Sequence, residues 1–236
     1  MTDLAIAFDV ETLDEALALD RRLGEGPELA KVGLQLFTAA GPDAVRKLRE
    51  RGRRVFLDLK LHDIPNTMEG AAAQAAKLGA ELLTVHATGG AEMVAAAVHG
   101  ITTACGPTKV VAVTLLTSLD EHNLPPGFAR PFAFQSTVAE LLEMSERAGA
   151  HGIVCSAADL AGIREIHPAP FYAVTPGIRP AGGATQDQKR VTTVGDAVRL
   201  GSSVIVLGRA ITGADDPHAA LEAARAERDA AAAVSA

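Results

Sequence analysis

Tryptophan is absent from this chain of 236 residues, and one tyrosine with seven phenylalanines brings the aromatics to only 3%. A platform that stacks the bases of single-stranded nucleic acid needs several exposed rings, so that class of function is disfavoured. The core must be built from Ala, Val, Leu and Ile, which suits helices packed closely over a parallel sheet. Positive charge is also short, with 22 Lys and Arg against 29 Asp and Glu for a net charge of −7. A general attraction to nucleic acid or to acidic membranes is therefore not expected, although a local cluster of cations can still hold a small anion. Cysteine is limited to Cys105 and Cys155, which form no metal-type spacing and are expected to be two buried thiols in a reducing compartment. No apolar run approaches the roughly 18 residues of a membrane span. The N-terminal MTDLAIAFDV lacks a basic region followed by a long apolar stretch, so no signal peptide is expected. The expectation is a cytoplasmic protein with neither a nucleic-acid nor a membrane partner.

What the chain does have is alternation. Short β-rich runs at 4–9, 29–33, 54–60, 81–86, 109–115, 152–155, 171–175 and 203–207 are separated by Ala/Leu-rich helical patterns at 12–23, 42–51, 67–78, 90–103, 136–148, 158–166, 193–200 and 216–232. Eight β/α pairs imply a parallel sheet. That number matches a closed (β/α)₈ TIM barrel of the α/β class, typically about 250 residues. An open doubly wound sheet would more often show fewer units. One barrel domain over 1–236 is expected, with the Ala-rich tail fraying beyond about 227. Two connections exceed what a barrel requires, one at 117–135 and one at 176–191 that reads PGIRPAGGATQDQKR. Both follow the carboxyl ends of strands, the catalytic face of such a barrel. Either could be a tolerated insertion, but the Gly and cation content of the second suits an anion clamp.

Charges stand where a barrel interior should be apolar. In 54–61, Val55, Leu57, Leu59 and Leu61 share one face, while Phe56, Asp58 and Lys60 share the other and point inward. An inward Asp and Lys are costly unless they pair or serve chemistry. The pattern repeats. Asp9 shares a face with Ala5 and Ala7, Lys31 projects opposite Ala30 and Val32, and Thr84 and His86 lie opposite Leu83 and Val85. All stand near strand carboxyl ends and should converge at the barrel's top. Any one of them could be a structural ion pair, but four strands doing this together point to a site. Asp58, Lys60 and Asp63 alternate in sign and Lys31 adds a second cation, so no metal is required to hold them. A metal set of Asp58, Asp63 and His62 or His86 is the alternative, with Lys60 competing for the same space.

An anion end is also legible. The last strand runs SVIVLGRAIT, where Gly208 allows backbone amides to approach an anion at a helix start and Arg209 can grip phosphate oxygens. This is the usual phosphate position of phosphate-binding barrels. Gly177, Arg179 and Gln188 could close over the same group, and the bland reading of Arg209 is a helix-face charge.

The segment DLKLHDIPNT (58–67) resembles the D-x-K-x-x-D-I-x-x-T signature of the orotidine 5′-phosphate decarboxylase family. Its companions are AFD (7–9), KVG (31–33), TVHA (84–87), LLTS (115–118), TPGIRP (175–180) and LGRAI (207–211), so the likeness spans nearly the whole chain. D-x-K-x-x-D alone also marks a related group of 3-keto-gulonate-6-phosphate decarboxylases and hexulose-phosphate synthases. Members of that group carry a carboxylate in place of Lys31 to help bind Mg²⁺. The resemblance implies a cofactor-free decarboxylase acting on a nucleotide, with Lys60 as the acid that protonates C6 of the pyrimidine and Asp58 against the substrate carboxylate. It implies that Asp9 and Lys31 contact ribose hydroxyls, that Thr117 and Ser118 hydrogen-bond the pyrimidine, and that Gln188, Gly208 and Arg209 hold the phosphate, with Arg179 in the closing loop. It further implies a homodimer in which Asp63 and Thr67 cross the interface, although Thr67 could simply cap a helix.

Overall fold

Strand alternation sends neighbouring side chains to opposite faces, and in a closed parallel sheet one face is packed by the barrel interior and the other by helices. The β runs of this chain obey that rule. The computed structural model describes residues 2–26, 28–119, 124, 133–167, 171–180 and 192–234. Its strands are β1 (Asp3–Ala7), β2 (Leu29–Gly33), β3 (Arg54–Leu61), β4 (Leu82–His86), β5 (Lys109–Val113), β6 (Gly152–Val154), β7 (Tyr172–Thr175), β8 (Ile178–Arg179), β9 (Thr192–Thr193) and β10 (Val204–Leu207). Eight of them close into one parallel barrel in the order β1-β10-β7-β6-β5-β4-β3-β2, while β8 and β9 form a separate two-stranded ladder. The expected (β/α)₈ barrel is therefore observed. Closure is made by β1, which pairs Ile6 with Leu207 on one side and Ala7 with Lys31 on the other.

Two apolar layers follow from the alternation. Inside, Ala5, Leu29, Phe56, Leu82, Val111, Val154, Val174 and Val206 meet. Outside, Leu4, Ile6, Val32, Val55, Leu57, Leu83 and Val85 pack with the helices. The helices are α1 (Leu13–Leu23), α2 (Leu34–Ala40), α3 (Pro42–Glu50), α4 (Pro65–Lys77), α5 (Ala91–Thr103), α6 (Phe134–Arg147), α7 (Ala157–Ile166), α8 (Val194–Arg199), α9 (Arg209–Thr212) and α10 (Pro217–Val234). Thr12 caps α1 by accepting from Glu15 N, and Glu15 answers by accepting from Thr12 N, a reciprocal box that fixes the helix start.

Several boundaries differ from the sequence pattern for local reasons. Helix α4 begins at Pro65 rather than near 67, because proline at the first helical position gives up no needed N–H. Ile64 is the cap, so Thr67 lies inside the first turn and is not an N-cap. LQLFTAA forms the unforeseen α2 between Gly33 and Gly41, too short to show a helical period. The final helix runs to Val234, beyond the expected fray near 227, and Ala231 is buried. Cys155 is buried, and burial pushes its thiol up to about 12, but Cys105 is exposed and so departs from the expected pair of buried thiols. No helix among the described residues is long and apolar enough to cross a membrane.

At the amino end of the barrel stands Arg54, the first residue of β3, on the same face of the strand as Phe56. Its guanidinium meets Asp3 at 2.9 Å and Glu81 at 2.5 Å, and the two carboxylates hold its pKa above the ordinary arginine value. Inward charges at the bottom of the barrel are thus structural.

Helices α4 and α5 approach closely at Gly100, where an added Cβ would lie 2.2 Å from the Glu69 carbonyl oxygen. Helix propensity alone favours alanine over glycine by about 0.5–1 kcal/mol. Backbone cannot yield as a flexible side chain can, so overpacking should win, at a cost of about 1–3 kcal/mol. Gly100→Ala is expected to lower the urea unfolding midpoint, and a raised midpoint would show that α4 shifts freely.

Candidate active site

The parallel register carries Ala7, Lys31 and Phe56 to one level, and Asp58 stands two residues further along β3, opposite Gly33. Above them opens a cavity of about 750 Å³ whose apolar floor includes Phe56, Val113, Val154, Val174 and Val206. Its polar lining comprises Asp9, Lys31, Asp58, Lys60, Thr117, Arg179, Gly208 and Arg209.

Four of these form a continuous array of alternating sign. Lys31 Nζ lies 3.0 Å from Asp9 Oδ1 and 3.6 Å from Asp58 Oδ2. Lys60 Nζ donates to both Asp58 oxygens, at 2.7 and 2.8 Å. The side chains of Lys31 and Asp58 are 9% and 13% exposed, against 31% for Lys60, so the proton-bearing end faces the cavity while the middle of the array is closed off. At the separations near 4 Å typical of such pairs, unlike charges attract by about 4 kcal/mol at an effective dielectric near 20. Gly33 makes room for the array, because a Cβ there would fall 2.9 Å from Asp9 Oδ1 and 3.1 Å from Lys31 Nζ.

The strand that carries Asp58 and Lys60 is irregular. Leu57 pairs with Leu83 and Leu61 with Val85, so β3 takes four residues to cover what β4 covers in two. Lys60 takes up the slack with φ +48°, in the left-handed region that non-glycine residues rarely enter. Buried Thr84, which the alternation placed inward without a role, accepts from Lys60 N at 2.8 Å and donates to Asp58 Oδ1 at 3.0 Å.

The residues expected to hold an anion line the same cavity. Arg179 sits in β8 and pairs in register with Thr193 of β9, after a turn at Gly177 whose φ of +77° suits glycine. Gly208 caps the single turn of α9, and Arg209 follows directly. Of the remaining expected residues, Gln188 lies outside the described residues. Ser118 is exposed beyond Thr117 and does not line the cavity. Asp63 and Thr67 are also exposed and outside the lining, and Asp63 Oδ1 accepts from Ile64 N at 2.7 Å.

His86, the last residue of β4, meets His62 with ring centroids 5.5 Å apart. Burial holds the His86 pKa below its ordinary value, His62 and Lys60 add to that, and Asp58 opposes it. Among the described residues no three of His, Cys, Asp and Glu come together in a metal-binding arrangement, and Asp58 faces two ammonium groups instead.

Residues 2–224 match the family model described as Orotidine 5′-phosphate decarboxylase / HUMPS family. The chain is 51% identical over 223 residues to a protein from Anaeromyxobacter sp. (strain K) named orotidine 5′-phosphate decarboxylase, covering 93% of this chain and 95% of the relative. A protein of the same name from Cutibacterium acnes is 46% identical over 220 residues, covering 93% of each chain. Among solved structures, that of orotidine 5′-phosphate decarboxylase from Lactobacillus acidophilus superposes with a TM-score of 0.86 at 37% identity, covering 97% of this chain and all of that one (100%).

The depressed His86 has a consequence for stability. An unfolded histidine titrates near about 6.5, so below that pH the unfolded chain binds the proton more readily than the folded one. Its contribution to stability is therefore complete above about 6.5 and is lost as pH falls towards the lower folded value. His86→Gln should make the urea midpoint less sensitive to pH between about 7.5 and 5.5. An unchanged slope would mean that His86 does not titrate differently on folding.

Proposed function

The chain belongs to the orotidine 5′-phosphate decarboxylase / HUMPS family, and on that premise we propose that it converts orotidine 5′-phosphate to UMP and CO₂ by means of its Asp/Lys array. The observation that carries this reading is Lys60 Nζ poised 2.7 Å from Asp58 in a cavity that Arg179 and Arg209 also line. A cavity of 750 Å³ falls within the about 300–1,000 Å³ usual for small-molecule sites. The phosphate lies towards Arg209, Gly208 and Arg179. The ribose hydroxyls meet Asp9 and Lys31, and Thr117 reads the pyrimidine edge.

That orientation sets the C6 carboxylate against Asp58. Like charges raise the ground state there, and the bond from C6 to the carboxylate breaks with its electron pair left on C6. Lys60 gives its proton to that carbon, CO₂ departs, and the neutral amine regains a proton from water. Relief of repulsion and stabilisation of the carbanion-like transition state both lower the barrier. The demand is large, since enzymes supply up to about 23 kcal/mol for slow reactions of this kind. Phosphate binding far from C6 contributes by organising the array. On this reading the protein works without cofactor or metal and serves pyrimidine synthesis in the cytoplasm.

Asp63 and Thr67 enter the reading through a second copy. Both are exposed near Ile64, and Ile64, Leu34 and Leu116, which follow β3, β2 and β5, are three of the four large apolar residues exposed among the described residues, at 66%, 58% and 39%. An isologous dimer through this face would cover them and bring the partner's Asp63 to the array.

The direct test is the loss of orotidine-type absorbance on adding protein, with and without chelator. Turnover indifferent to chelator supports the decarboxylase, and turnover of a sugar phosphate that chelator abolishes would replace it with the Mg²⁺-dependent activity of the sister group. Lys60→Ala should lower kcat by about 100-fold or more, as for loss of a general acid, while UMP still binds. Retention of more than a few per cent of activity removes Lys60 as proton donor. Mixing inactive Asp63→Ala and Lys60→Ala subunits should restore part of the activity in heterodimers, whereas no recovery would confine the site to one chain.

A further inference from the structure

We propose that Thr84 is a positioning residue of this decarboxylation, its hydroxyl holding the left-handed backbone of Lys60 and aiming the Asp58 carboxylate at the Lys60 ammonium. The inference rests on the proposed function and extends it to a residue on another strand that touches no substrate-facing surface.

The argument begins with the irregularity of β3. Bulges are rare between parallel strands and cluster next to active sites, where they re-aim a side chain. Here the span from Leu57 to Leu61 outruns its partner span from Leu83 to Val85, so the ladder cannot supply a backbone acceptor for every N–H between them. The Lys60 N–H turns to Thr84 Oγ1 at 2.8 Å instead. Among the described residues only Lys60 and Cys105 are non-glycine residues at positive φ. Cys105 lies in an exposed turn after α5, whereas Lys60 is in a barrel strand beneath the cavity. Backbone held in a sparsely populated region persists only where its surroundings over-determine it, and the Thr84 hydroxyl is the group that does so.

The direction of the two bonds is fixed by chemistry. A backbone N–H can only donate, so Thr84 Oγ1 accepts from Lys60 and its own proton is available to Asp58 Oδ1 at 3.0 Å. Asp58 Oδ1 then receives both Thr84 and Lys60, while Oδ2 receives Lys60 and faces Lys31 at 3.6 Å. The carboxylate has no freedom to rotate without breaking one of these contacts. One hydroxyl therefore sets both the root of the lysine that donates the proton and the plane of the carboxylate that repels the substrate. Thr84 is 0% exposed, so water does not substitute for it.

The competing explanation is that Thr84 fills space in a buried strand. Two substitutions separate the explanations, since valine keeps the shape without the hydroxyl and serine keeps the hydroxyl without the methyl. Thr84→Val is expected to lower kcat by roughly 10- to 100-fold, the scale of a misplaced reacting group, with KM and UMP affinity within about threefold of wild type. Thr84→Ser should keep kcat within about threefold. The reverse order, or a change confined to KM, overturns the proposal. If Thr84→Val fails to fold by circular dichroism, Thr84→Ala against Thr84→Ser makes the same comparison at smaller volume. A second readout is independent of turnover: the Lys60 amide should exchange with solvent faster in Thr84→Val and near the wild-type rate in Thr84→Ser. Unchanged exchange in Thr84→Val sinks the positioning role even if activity falls. Wild-type protein that does not decarboxylate orotidine 5′-phosphate defeats the proposed function instead, while the exchange measurement still decides whether Thr84 holds Lys60.

Discussion

The top of the barrel is arranged around the Asp58 carboxylate. It is nearly closed to solvent, and its two oxygens are shared among Lys31, Lys60 and Thr84. An uncompensated carboxylate at such a depth would be costly, so each neighbour is there partly to hold this charge. Asp9 then balances Lys31, and Gly33 stays without a side chain to leave room for that pair. The same contacts that make Asp58 tolerable also aim Lys60 at the cavity. Stability and chemistry draw on one set of atoms here, so a substitution in the array disturbs both.

The two ends of the barrel use charge differently. At the amino end, Arg54 is satisfied by Asp3 and Glu81. At the top, the pairs stand at 2.7 to 3.6 Å, but they line an open cavity that Arg179 and Arg209 line as well. Inward charge by itself therefore does not identify a site. Its position at the carboxyl ends of parallel strands, facing space that a ligand can fill, does.

How much of this could be read in advance depends on the range of the forces involved. Phe56, Asp58 and Lys60 share a face because of backbone geometry over two or three residues, and the structure keeps that face inward. The helix start at Pro65 and the short α2 are not legible in the pattern, because proline placement and a seven-residue helix leave little periodic signal. The left-handed turn at Lys60 had no signal at all. It arises from a mismatch between two strands more than twenty residues apart in sequence, and lysine is not a residue that announces positive φ. Thr84 was visible as an inward polar residue, but its partners were not.

Local sequence settled the alternation of the eight barrel strands with helices, the inward placement of Asp58 and Lys60, and a motif that names its family, because each depends on alternation or on residue identity at close spacing. The tertiary structure alone decided that Lys31 lies between Asp9 and Asp58, that Thr84 ties Asp58 to the Lys60 backbone, and that Asp63 stands exposed outside the cavity. These relations join different strands, and their distances are set by barrel closure and register, which no stretch of neighbouring residues encodes.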